Sequence, residues 1–228
     1  MAEALLAAHG VCKRYFRAGR SQARSFDAVA PTNLELVPGE LVACMGRSGS
    51  GKTTLLNLLA GLLEPSEGSV TLGGQDLYAL DDARLSRLRN ERFGVVPQGQ
   101  TALHSLTVIE NVTLPCGLYG GADVETVAMS LLARMGIDDL ADAYPSELSG
   151  GELRRMALAR ALVHGPEVVF ADEPTSDLDD ESTALVLGLL REVAEAGKVV
   201  FMVTHESDAA RYAHRVLRMD AGILTEER

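Results

Sequence analysis

Residues 41–60 constrain the fold of this chain more than any other stretch. Gly46-Arg47-Ser48-Gly49-Ser50-Gly51-Lys52-Thr53 satisfies every fixed position of the phosphate-binding pattern G-x-x-x-x-G-K-[ST]. The apolar run Leu41-Val42-Ala43-Cys44-Met45 before it reads as a short buried strand. Thr54 to Ala60 after it reads as a helix, with Gly61 placed as a C-cap. Strand, glycine loop and helix are the context this motif requires. Glycines let the backbone curl so that successive N–H groups face an anion. Lys52, one of three lysines in the chain, adds a point charge, and the Thr53 hydroxyl is a candidate Mg²⁺ ligand.

Composition narrows the class further. The 228 residues suit one large domain and can bury a substantial core. The net charge of −11 argues against a broad nucleic-acid surface. Cys12, Cys44 and Cys116 are odd in number and lack metal spacing, so reduced thiols are expected. The N-terminus lacks the pattern of a secretion signal. The longest apolar segment, Leu55 to Leu63, is far short of the ~20 residues a membrane-spanning helix needs.

Three layers follow along the chain. The first is β-rich, with strands at Gly10–Phe16, Thr32–Val37 and Ser69–Leu72 and a polar loop from Arg17 to Ala30. The second, about Leu80 to Val163, is mostly helical. It has a capping box at Thr107–Glu110 opening a helix that stops near Pro115, and a second helix from Val124 to Met135. The third alternates strand and helix: Val168–Ala171, a helix over about Asp180–Ala196, Lys198–Val203, and a hairpin from Arg215 to Thr225. The continuous apolar runs suit parallel strands buried on both faces.

Further polar residues fall at strand ends. Asp172 and Glu173 follow the apolar run Val168–Ala171, at the sheet edge where α/β proteins bind ligands. Phosphoryl transfer needs a carboxylate near Mg²⁺ and a group that positions the attacking water, and these two fit those roles in that order. Gln98 ends the run Phe93–Pro97, and His205 follows Val199–Thr204, which suits a γ-phosphate sensor. Tyr15 or Phe16 offers a ring for a base. Leu148-Ser149-Gly150-Gly151-Glu152 opens a helix over about Leu153–Val163, and such a helix start suits an anion. One chain needs only one phosphate cradle. This second anion site makes sense if it meets a nucleotide held by another subunit, and otherwise reads as an ordinary cap.

Taken in order, Gly46–Thr53, Gln98, Leu148–Glu152, Asp172-Glu173, Ser176–Asp179 and His205 resemble the ATP-binding subunits of ABC transporters over essentially the whole chain. The resemblance implies an α/β fold: a phosphate-loop (RecA-like) core with a parallel sheet, an N-terminal antiparallel β subdomain and an inserted α-helical subdomain. The core and β subdomain would occupy about 1–95 and 164–228, the helical subdomain about 96–163. It implies ATP and Mg²⁺ as ligands. Tyr15 would stack on adenine. Gly46, Arg47, Ser48, Gly49, Ser50, Gly51, Lys52, Thr53 and Thr54 would hold the phosphates. Thr53, Gln98 and Asp172 would serve the metal. Glu173 would polarise the water, with His205 on the γ-phosphate. Ser149, Gly150 and Gly151 would close on the nucleotide of the opposite subunit in a homodimer.

The finer resemblance is to the lipoprotein-release and macrolide-efflux branch, through Arg89-Asn90 with Phe93-Gly94, Glu110-Asn111-Val112 and Pro145–Glu152. It implies a separate integral membrane permease, a place on the cytoplasmic face of the inner membrane, export or extraction as the work done, and no nucleic acid. An ATPase that reshapes a cell-division or sensing partner without moving cargo is the alternative. Glu152 and Asp177 stand where Gln and Asn are more usual. The stretch Gly99-Gln100-Thr101-Ala102-Leu103-His104 departs from the aromatic and proline common in relatives.

Overall fold

The computed structural model describes residues 3–17, 24–99, 101–117 and 124–227. Gln100 and residues 18–23, part of the expected loop, lie outside them. Ten strands and six α-helices are formed among the described residues. β1 (Leu6–Arg17), β2 (Arg24–Leu36) and β3 (Leu41–Met45) lead into α1 (Lys52–Leu59). β4 (Glu67–Leu72), β5 (Gln75–Asp76), α2 (Asp82–Arg92) and β6 (Phe93–Val96) follow. Then come α3 (Val108–Gly117), α4 (Val124–Arg134), α5 (Gly150–Leu162), β7 (Val168–Asp172), α6 (Asp180–Glu195), β8 (Val199–Thr204), β9 (Arg215–Asp220) and β10 (Ile223–Glu227).

Two sheets result. One is antiparallel, ordered β2-β1-β4-β5. The other is ordered β10-β9-β3-β8-β7-β6, parallel except for β10. The apolar runs of β3, β7 and β8 are buried at every position but Met45 because alternate side chains enter different cores. Leu41, Ala43, Val169, Ala171, Val200 and Met202 pack with α3, α4, α5 and α6. Val42, Cys44, Val168, Phe170, Val199 and Phe201 face α1 and the antiparallel sheet. In a parallel sheet all chain exits lie on one edge. The ends of β3, β6, β7 and β8 therefore place the loops at 46–51, Gln98, Glu173 and His205 side by side.

Three sequence expectations are corrected. Residues 24–30, read as loop, extend β2 and pair with β1 from Lys13↔Val29 to Arg17↔Arg24. The strand is specified by its ladder to β1 and not by a local pattern. Helix α3 runs through Pro115 to Gly117; the Pro115 carbonyl accepts a hydrogen bond from Asn90 Nδ2 at 3.1 Å. Residues 52 and 53 also belong to α1, which starts inside the glycine motif rather than after it.

Candidate functional site

The loop between β3 and α1 is held by contacts that only glycine permits. A Cβ on Gly46 would lie 2.2 Å from the Met219 carbonyl oxygen of β9. Gly51, at φ 110°, caps α1, and a Cβ there would lie 2.1 Å from the Ala28 carbonyl oxygen of β2. Ala28 is the extra residue of a bulge, since Lys13 pairs with Val29 while Arg14 pairs with Asp27. The bulge brings β2 against the loop, and Gly222 ties the two together through Ala30 N–H to Gly222 O and Gly222 N–H to Ser50 O, both 2.8 Å.

Lys52 is 6% exposed. Its Nζ donates to the carbonyls of Gly46 at 2.8 Å and Arg47 at 3.2 Å, and stands 3.8 Å from a Glu173 carboxylate oxygen. No acidic residue occupies the first turn of α1. The buried Ser50 hydroxyl has no partner. A buried ammonium held chiefly by neutral carbonyls, an orphaned hydroxyl and a bare helix N-terminus together suit a polyanion.

The carboxylates stand opposite. Thr53 Oγ1 donates to Asp172 Oδ1 at 3.3 Å. Burial raises the Asp172 pKa, opposed by the Thr53 hydrogen bond; the neighbouring Glu173 charge raises it further, and Lys52 and Arg154 lower it. Glu173, at φ 49°, turns off the end of β7, and its N–H bonds to the Val203 carbonyl at 2.9 Å. A positive φ in a glutamate is uncommon and strained. Its carboxylate meets the His205 backbone N–H at 3.2 Å and the ring Nδ1 at 2.9 Å. The buried Glu173 is thus held at Oε2 by His205, with Oε1 toward Lys52, while the His205 side chain stays exposed.

These groups share one cleft of about 1020 Å³, lined by Tyr15, Phe26, residues 46–54, Gln98, Glu173, His205 and Arg218 among others. Asp172 is reached through Thr53. Every residue assigned to the nucleotide, metal or water is therefore in or against this cleft except Ser149, Gly150 and Gly151. Those three open α5, and Gly150 borders a separate cavity of about 170 Å³ with Gly99, Arg154, Ser176 and Asp177.

The chain matches the ABC transporter family model over residues 29–176. It belongs to the ABC transporter ATP-binding family. The cassette is 42% identical over 94% of its length to the macrolide export ATP-binding/permease protein MacB of Burkholderia pseudomallei, and 40% identical over its full length to that of a Shewanella species. It spans about a third of the length of these relatives. Two solved structures of the ABC cassette MJ0796 superpose with a TM-score of 0.89 at 33% identity, over 98% of this chain and 99% of theirs; both are dimeric, one in a post-hydrolysis state with ADP and Pi. The cassette is thus an ABC-type ATPase that binds ATP. Among the described residues, no helix is long and apolar enough to cross a membrane.

Within the cassette, Ser149 caps α5 in a capping box that the sequence reading did not single out. Glu152 Oε2 accepts from the Ser149 N–H and hydroxyl, both at 2.7 Å, and Ser149 Oγ accepts from the Glu152 N–H at 3.3 Å. The Ser149 hydrogen bonds hold the Glu152 pKa below the ordinary carboxylate range. Two residues near the cleft were also missed. Phe26 fell in the segment read as loop, and it acquires its place only through Tyr15 across the β1–β2 ladder. Arg154 donates to the Pro97 carbonyl at 3.2 Å, tying α5 to the residue before Gln98; nothing in its local sequence marks that reach.

Proposed function

We propose that the cassette works as a head-to-tail homodimer that drives a separate integral membrane permease at the cytoplasmic face of the inner membrane, in export or in extraction from the membrane. Each of two ATP molecules lies between residues 46–54 of one protomer and Ser149, Gly150 and Gly151 of its partner. One observation carries this reading: eight motif residues, Gln98, Glu173 and His205 converge on a single cleft, while the remaining anion-suited segment of the chain faces elsewhere. A second copy, turned to bring that segment over the cleft, completes the pocket.

In this cycle Lys52 leaves the Gly46 and Arg47 carbonyls for the β- and γ-phosphates, and the α1 N-terminus faces them. Tyr15 stacks on adenine. Thr53 and Asp172, already in contact, and Gln98 would hold Mg²⁺, which neutralises charge developing on the transferred phosphoryl group. Glu173 polarises the attacking water, an effect worth ~10²–10⁴ in rate for a positioned base. His205 orients that carboxylate through Nδ1 and contacts the γ-phosphate. ATP makes its contacts to Ser149 only in the closed dimer, so it shifts the population toward closure, and loss of the γ-phosphate reverses the shift.

Mixing two inactive variants tests the shared pocket. Lys52→Ala damages one half of each pocket and Ser149→Arg the other. In the mixed dimer one pocket carries both defects and its counterpart neither, so mixing restores ATP hydrolysis to a substantial fraction of wild type. A mixture as inactive as its components contradicts the arrangement.

A further inference from the structure

We propose that Phe26 is a second base-binding residue, forming with Tyr15 a two-ring platform for the nucleobase; this rests on the reading of the cleft as the ATP site. Tyr15 and Phe26 are cross-strand partners in the β1–β2 ladder, so both side chains leave the same face of the sheet. Their ring centroids are 5.9 Å apart with planes inclined by 31°, and both residues line the cleft together with the phosphate-binding motif. The pair is prearranged. Lys13 Nζ stands 5.7 Å from the Tyr15 ring centroid and is itself held by the Glu64 carbonyl at 2.6 Å. Next in the ladder, Arg14 Nε donates to Asp27 Oδ1 at 2.8 Å and secures the register that aligns the rings. The bulge at Ala28 then joins this platform to the phosphate loop through Gly51, so base and phosphate ends are parts of one packed unit. Tyr15 is 39% and Phe26 46% exposed, which leaves ring surface to be covered by a base. Every base has a π-face, so such a platform holds a nucleotide by stacking and tolerates the identity of the base.

The chain contains no tryptophan, so Phe26→Trp introduces a single tryptophan at the platform, read by excitation beyond the tyrosine band. ATP changes its emission and inorganic tripolyphosphate, which lacks a base, does not. Phe26→Ala weakens ATP binding roughly five- to tenfold, the low end of base stacking on a half-exposed ring, and leaves tripolyphosphate binding unchanged. Equal weakening of both ligands, or none of either, overturns the inference. Tyr15→Ala separates this from the reading of the site: if Tyr15→Ala weakens ATP and Phe26→Ala does not, only the role of Phe26 fails. If neither variant alters ATP affinity while Lys52→Ala does, the base lies elsewhere and the assignment of this end of the cleft fails with it.

Discussion

Replacing Gly51 by alanine tests whether the phosphate loop is locked by the β2 bulge. Two costs apply. The backbone at φ 110° is foreign to a residue with a Cβ, worth ~1–2 kcal/mol. The added Cβ would also sit 2.1 Å from the Ala28 carbonyl oxygen and 2.9 Å from Met219 Cε. The methionine terminus can yield. The carbonyl is in a bulge flanked by the Arg14–Asp27 pair and by the Ala30–Gly222 hydrogen bond, so it must carry β2 with it. Overpacking of this kind costs ~1–3 kcal/mol. Together these give about 2–5 kcal/mol, a large share of a typical domain's ~5–15 kcal/mol. At roughly 2–4 °C per kcal/mol for a chain of this size, the midpoint falls by about 4–20 °C. Gly49→Ala is the control, because Gly49 also has positive φ, 77°, but nothing within 4 Å of its Cβ position. Thermal unfolding without nucleotide compares the two. Equal losses for Gly49→Ala and Gly51→Ala would refute the packing argument and leave only backbone strain.

Two further outcomes follow from the same contacts. Lys52→Ala removes hydrogen bonds from a charged donor, worth ~1.5–3 kcal/mol, so calorimetry gives ATP binding about 10- to 150-fold weaker; an unchanged Kd would mean that the ammonium stays on the Gly46 and Arg47 carbonyls. The Arg92–Glu167 pair joins the last residue of α2 to the residue before β7, with Nε to Oε1 at 2.7 Å, and the Arg92 hydrogen bond holds the Glu167 pKa down. A lowered carboxylate pKa stabilises the fold above the unfolded-state pKa, and that stability is lost as pH falls through the folded-state value. For this half-exposed pair the gain is about 0.5–1 kcal/mol, so Glu167→Gln lowers Tm by roughly 1–4 °C at pH 7. The gap closes in acid below the lowered pKa; a gap independent of pH would place the effect elsewhere.

How much could be read from the residues varies with the range of the forces involved. The loop at 46–53 and the strand ends carrying Gln98, Asp172 and His205 were legible because buried parallel strands are continuous apolar runs and their exits share one edge. The capping box at Thr107 was local too, and its reciprocal bonds form at 2.8 and 3.4 Å. Residues 24–30 were not legible, since that strand exists by pairing with β1. The fully buried Asn111 was equally opaque. Its side chain accepts from Leu103 N–H and donates to the carbonyls of Leu103 and Thr107, organising the turn before α3, and no pattern along the chain announces that closure. Phe26 combines both failures, being an aromatic whose meaning depends on the ring across the ladder.

The shared pocket is tested most directly by the solution mass of Glu173→Gln with saturating Mg-ATP. That variant keeps the side-chain shape and the Lys52 cradle while losing the carboxylate proposed to polarise water. Light scattering then gives twice the mass of one chain with ATP and a single-chain mass without it, and adding Ser149→Arg to the same variant returns the single-chain mass. A single-chain mass at saturating ATP, or a dimer indifferent to Ser149→Arg, would contradict the account.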